Sequence, residues 1–152
     1  MKRFLKGFVY AGRGFLHCLG ERNFRFHLCA AAIVVFVAVG FYELTRGEWA
    51  VLLLTIGLVP ALEAVNTSLE RLCDRVEGEQ NELIRRAKDC AAAAVLIAAV
   101  AAVAVGISLF GDGERLMAML RYFFCDAFHT VLLLAVIAGA VMVVFIPERH
   151  KK

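Results

Sequence analysis

Four long apolar runs alternate with short polar stretches: Leu28 to Tyr42, Glu48 to Leu72, Cys90 to Phe110 and Ala127 to Ile146. Runs of this kind predict helices that cross a bilayer, whose hydrocarbon core takes about 20 apolar residues. The third run reaches that length and the fourth is similar. The first is short unless Arg25 and His27 mark an interfacial start. The second spans only if its polar end lies at the cytosolic surface or inside a bundle. The polar turn Glu43 to Gly47 joins the first pair, and the loop Gly111 to Asp126 joins the second. Ahead of them, Phe4, Phe8, Phe15 and Leu19 form an apolar side and Lys2, Lys6 and Arg13 a basic one. That pattern predicts an amphipathic helix lying on the membrane. The leader has no long apolar core, so no cleavable signal peptide is expected.

The second run departs from its apolar pattern in an ordered way. Glu63, Asn66, Glu70 and Asp74 stand at i, i+3, i+7 and i+11, which stacks them on one side of an α-helix. An ionised carboxylate at membrane depth is costly unless a cation or polar partner meets it. Helix packing would account for a polar residue or two, not for three carboxylates and an amide on one stripe. The stripe is therefore expected to bind something positive.

Composition agrees with a membrane protein. Of 152 residues, 61% are hydrophobic and the mean hydropathy is +0.73, against about half apolar in a typical soluble domain. Charge then sets the topology. Residues 1–27, 71–89 and 147–152 carry six, five and three Lys or Arg, 14 of the 17. The positive-inside rule places those three segments, and both termini, in the cytosol. The carboxylate stripe then opens towards the cytosol, where ATP is available. Five scattered cysteines, without a CxxC pair or ligand spacing, read as small apolar fillers.

Two further pieces bear on chemistry. Lys88 and Asp89 stand at the mouth of the third run, ahead of Ala91–Ala94, whose small side chains suit close helix packing. A lysine there serves equally as a structural clamp on an acid or as a point charge on a phosphate. Carboxylates nearby favour the phosphate, since they hold Mg²⁺ and Mg²⁺ brings nucleotide phosphates. Glu21, just before the first run, is expected near the same surface as Glu63 and Glu70. A transporter or channel would also carry acids on a membrane helix, but nearer mid-bilayer and paired across repeats. A structural protein would explain the small residues and not the stripe.

These stretches together resemble the small bacterial integral-membrane lipid kinases, the diacylglycerol kinase/undecaprenol kinase family. The matching segments are Phe8 to Gly14, Glu21 to His27, Glu48-Trp49, Glu63-Ala-Val-Asn-Thr-Ser-Leu-Glu70, Asp74 and Ala87-Lys-Asp-Cys-Ala-Ala-Ala-Ala-Val95. The leader looks more like the undecaprenol kinases. The resemblance implies an all-α integral membrane fold: an amphipathic surface helix and a bundle of three membrane helices per subunit, assembled as a homotrimer. It implies transfer of the γ-phosphoryl of MgATP to a lipid primary alcohol, undecaprenol or alternatively diacylglycerol. Carried over by position, Glu63 matches the catalytic base, and Glu21 and Glu70 match the acids that hold the divalent metal. Asn66 matches the polar residue a turn after the base. Lys88 and Asp89 match nucleotide contacts to phosphate and nucleoside, and Asp74 a structural or nucleotide-proximal acid. The implied setting is the bacterial cytoplasmic membrane, with no nucleic-acid partner.

Two departures from the pattern stand out. The family's chains usually stop near position 110, so residues 1–110 form the expected kinase domain. Residues 111–152 add a loop, a fourth membrane helix and the basic tail Pro147 to Lys152. Pro60 lies three residues before Glu63 and either kinks the helix or is harmless. His129 reads as an interfacial or core histidine.

Overall fold

The computed structural model describes residues 2–76 and 81–147, with side chains from residue 4 onwards. The far end of the expected basic tail, His150 included, and the middle of the 71–89 loop lie outside the described residues, as does the side chain of Lys2. The described residues form six α-helices and no strand: α1 (Lys2–Cys18), α2 (Arg22–Phe41), α3 (Arg46–Val76), α4 (Glu82–Phe110), α5 (Gly113–Phe124) and α6 (Ala127–Val144). Four of them, α2, α3, α4 and α6, are long and apolar enough to cross a membrane. This is the expected all-helical membrane bundle.

Local chemistry sets the helix ends. Thr45 and Glu48 form a reciprocal cap on α3: the Thr45 amide donates to Glu48 Oε2 at 2.7 Å, and the Glu48 amide donates to Thr45 Oγ1 at 3.3 Å. Each satisfies a donor that the first helical turn leaves without a partner. Asn81, Asp112 and Asp126 cap α4, α5 and α6 by accepting amide protons from Leu83, from Glu114 and Arg115, and from Phe128. At the end of α4, a Cβ on Gly111 would meet the Ile107 carbonyl oxygen at 2.5 Å, so only glycine makes that exit.

The helices pack in the lateral order α4, α3, α2, α6, with the most extensive contact between α3 and α4. α1 touches α3, and α5 lies against α6. At one end of the bundle the Tyr42 hydroxyl donates to the Phe110 carbonyl at 2.9 Å, and Arg115 lies over the Tyr42 ring. At the other end meet the α1–α2 turn, the C-terminal halves of α3 and α6, and the start of α4. The two ends are those that the charge distribution distinguishes.

Several expectations gain detail here. The first run is long enough after all, because α2 begins at Arg22 and not at Leu28. α4 begins at Glu82 and so carries Lys88 and Asp89 on a helix instead of at a loop end. α3 continues unbroken through Pro60. The stretch 111–126 is not a simple loop but contains α5, whose Leu116, Met117 and Leu120 repeat at helical spacing. Its brevity and mixed polarity hid that period. Among the described residues no large side chain is fully buried, and apolar residues such as Leu54, Ile97, Ile107 and Met142 stay more than half exposed. A lipid environment tolerates such exposure.

Candidate active site

The α3 stripe is divided by depth. Glu63 and Asn66 are buried, 4% and 7% exposed, whereas Glu70 and Asp74 are exposed. Asn66 Nδ2 donates to Glu70 Oε1 at 2.9 Å, one helical turn on. Its other amide atom, Oδ1, is buried with no partner among the described residues. Glu63 likewise makes no hydrogen bond among the described residues. Buried polar atoms are nearly always paired, so an orphaned acceptor beside an unpaired buried carboxylate marks a place prepared for something else.

Two basic residues tie other helices to this stripe. Lys88 Nζ on α4 donates to Asp74 Oδ1 at 2.7 Å. Arg71 on α3 pairs with Glu21, which precedes α2. Both pairs are partly exposed, so each is worth about 0–1 kcal/mol and is easily exchanged for another partner. Asp89 follows Lys88 on α4 and is exposed. Of the seven expected site residues, Glu63, Asn66, Glu70 and Asp74 thus share one side of α3, Glu21 is tied to that helix through Arg71, and Lys88 through Asp74. No three His, Cys, Asp or Glu side chains converge into a metal cage among the described residues. Mg²⁺ commonly uses only one or two protein carboxylates, the remainder of its octahedron being water and phosphate oxygens. Glu70, with the free Asn66 oxygen beside it, fits that pattern.

Beside the acids, α1, α2 and α3 line an open-sided pocket of about 740 Å³. Its walls include Phe15, Phe24, Gly57 and Pro60, and its polar side includes Thr67 and Arg71. On α3 the cavity-lining positions 57, 60, 64, 67 and 71 form a row next to the acid row 63, 66, 70 and 74. Successive residues are about 100° apart, so an apolar chamber and a charged face meet along a single helix. Cys18 also lines the chamber. Burial pushes its thiol up from the ordinary range, and the Arg71 guanidinium partly opposes this. A hydroxyl at the end of a long apolar molecule can therefore enter among hydrocarbon walls and arrive beside ionisable groups.

Sequence reasoning assigned no site role to Arg25 and Arg71. Arg71 adjoins Glu70, but spacing alone gives no sign that it reaches Glu21, 50 positions away. Arg25 is only 6% exposed. A charged residue between Phe24 and Phe26 was the available signal, and it read as a mark of the interface.

A profile of the family described as prokaryotic diacylglycerol kinase matches residues 9–110. The chain is 40% identical over 111 residues to an undecaprenol kinase of Bacillus subtilis, covering 72% of this chain and 89% of that protein. It is 44% identical over 104 residues to a diacylglycerol kinase of Synechocystis, covering 67% of this chain and 59% of that protein. A diacylglycerol kinase of Escherichia coli is 34% identical over 102 residues. No solved structure matches the chain. The matched region holds the whole acid stripe, Glu21, Lys88 and Asp89, and leaves out α5 and α6. With the stripe, its basic partners and the apolar chamber on three helices of that region, the chain belongs to the prokaryotic diacylglycerol kinase family of membrane lipid kinases.

Proposed function

We propose that this kinase transfers the γ-phosphoryl group of MgATP to the primary hydroxyl of undecaprenol at the cytosolic surface of a bacterial membrane. The observation that carries the lipid assignment is the likeness to the Bacillus subtilis undecaprenol kinase, which extends over 89% of that protein. The 44% identity to the Synechocystis enzyme favours diacylglycerol as a second reading, over a smaller share of that chain.

The residues divide the work as follows. The lipid hydroxyl enters through the chamber and reaches Glu63, the buried carboxylate, which accepts its proton as the oxygen attacks the γ-phosphorus. A new P–O bond forms to the lipid, the bond from the γ-phosphorus to the β–γ bridging oxygen breaks, and ADP leaves. Glu70 and Glu21 are the groups that would hold the divalent cation, with Asn66 orienting Glu70 through its 2.9 Å hydrogen bond. When bound, that cation supplies neutralisation of the phosphate charge. Lys88 exchanges Asp74 for a phosphate oxygen, a change that costs little because the ion pair is partly exposed. Asp89 lies on the nucleoside side. Phosphoryl transfer asks mainly for positioning and charge stabilisation, and this set provides both.

The test is transfer of labelled γ-phosphate from MgATP to undecaprenol and to diacylglycerol in parallel, in mixed micelles, with Glu63→Gln beside the parent. The expected result is strong labelling of undecaprenol, reduced at least ~100-fold in Glu63→Gln. Preferential labelling of diacylglycerol would move the substrate to the second reading. Undiminished transfer by Glu63→Gln would remove that residue from the role of base.

A further inference from the structure

The fourth membrane helix lies outside the matched kinase region, yet its end is bonded to the turn that carries Glu21. The link is Arg25, on the first turn of α2. Its Nη1 donates to the carbonyls of Leu19 at 3.0 Å and Gly20 at 2.8 Å, where the chain leaves α1. Its Nη2 donates to the carbonyls of Val144 at 2.9 Å and Ile146 at 2.6 Å, where the chain leaves α6. Both terminal nitrogens are thus fully used, while Nε is buried without a partner among the described residues, and Arg25 as a whole is 6% exposed.

The arrangement follows from what each group lacks. The last carbonyls of a helix have no partner within it and carry the negative end of its dipole. α6 has no basic residue in its own last turn, and Pro147 keeps the preceding residue from continuing the helix. Arg25 makes no ion pair with a carboxylate among the described residues. Two helix ends compensate its charge, and in return it holds both. A buried cation stripped of such acceptors is strongly unfavourable, so neither end is dispensable.

Resting on the reading of Glu21 as a metal-holding residue, we propose that Arg25 is a positioning residue through which the end of α6 holds the Leu19–Glu21 turn in place for catalysis. Gly20, whose carbonyl Arg25 binds, directly precedes Glu21. The Glu21 amide in turn donates to the Cys18 carbonyl at 2.9 Å. The backbone of Glu21 is therefore fixed from the α6 side, and its carboxylate is met by Arg71. The C-terminal extension is part of the active-site support of this enzyme and not a passive anchor.

The experiment uses full-length protein with four substitutions: Arg25→Gln, Arg25→Lys, Phe145→Pro and Glu21→Gln. Phe145→Pro lies outside the kinase region. It removes the amide that donates to Val141 and turns Val144 out of helical geometry, which takes its carbonyl away from Arg25. Two readouts are followed. One is the Mg²⁺ concentration for half-maximal transfer. The other, made without nucleotide or metal, is the rate of maleimide labelling at Cys18 measured by peptide mass spectrometry. Arg25→Gln and Phe145→Pro should each raise the Mg²⁺ requirement roughly tenfold or more, with a much smaller fall in kcat at saturating Mg²⁺. Both should also speed Cys18 labelling, with Arg25→Lys intermediate in each measurement. If Phe145→Pro matches the parent in both readouts, α6 takes no part and the proposal is overturned. The same holds if Arg25→Gln matches the parent. If Glu21→Gln leaves the Mg²⁺ requirement unchanged, the reading of Glu21 fails, and Cys18 labelling still reports whether α6 holds the turn.

Discussion

Asn66 uses one end of its amide on Glu70 and keeps the other buried without a partner. Glu63, a turn earlier, is the more deeply buried acid. The pair shows how residues of similar polarity on one stripe come to differ in setting: in the proposed mechanism the buried acid receives the lipid hydroxyl, and the exposed acids serve the charged co-substrate. Gly57 sets the other boundary of the site. It lines the apolar chamber, and a Cβ placed there meets no atom within 4 Å, so a larger side chain would extend into that space without straining the helix. Gly57→Leu is expected to raise KM for the lipid roughly tenfold and to leave KM for MgATP unchanged, because only apolar volume is altered. Steady-state kinetics with each substrate varied in turn would check this. Equal shifts in both constants would mean that the chamber is not the lipid's route.

At the scale of elements, α3 is the backbone of the enzyme. Thr45 and Glu48 cap its start, and the acid stripe occupies its far half, from Glu63 to Asp74. At 1.5 Å per residue, Glu63 lies roughly 22 Å along the axis from the Glu48 turn. Stability and chemistry are therefore separable on this helix. Thr45→Ala should cost about 1 kcal/mol of stability with kcat unaltered, which thermal unfolding and activity measured on the same preparation would reveal. The four membrane helices were legible in the sequence, whereas Thr45 and Glu48 read there as part of a polar turn and the start of an apolar run, and their cap emerged only in the structure. α5 was not legible either, because twelve residues of mixed polarity between two apolar runs look like a connection until Asp112 caps them and α6 packs alongside. The start of α2 at Arg22 was equally hidden. A polar first turn is read as interface unless something nearby occupies its side chains.

At the scale of the molecule, the described chain has a thin interior and a wide apolar exterior. The side chains of Leu96, Ile97, Val100, Val103 and Ile107 on α4 remain exposed, and Ala92 and Ala93 at its start do too. Small residues permit close helix approach. We expect the purified enzyme in detergent to have the mass of three chains of 16.7 kDa by light scattering. A single-chain mass with full activity would show that one copy supplies every wall of the site.

What the sequence determined by itself is whatever depends on spacing along one helix or on composition: the number of spans, the side on which the basic residues gather, and the row Glu63, Asn66, Glu70 and Asp74. Helical geometry converts those intervals into a face without reference to the remainder of the chain. The tertiary structure alone decided which distant groups meet. Arg25 reaches carbonyls 119 and 121 positions away, Arg71 reaches Glu21, and Lys88 settles on Asp74. No period encodes those choices. A guanidinium or ammonium donates to whichever helix end or carboxylate the packing brings within hydrogen-bond distance, and here the packing of α6 on α2 brought the end of the fourth helix to the turn before Glu21.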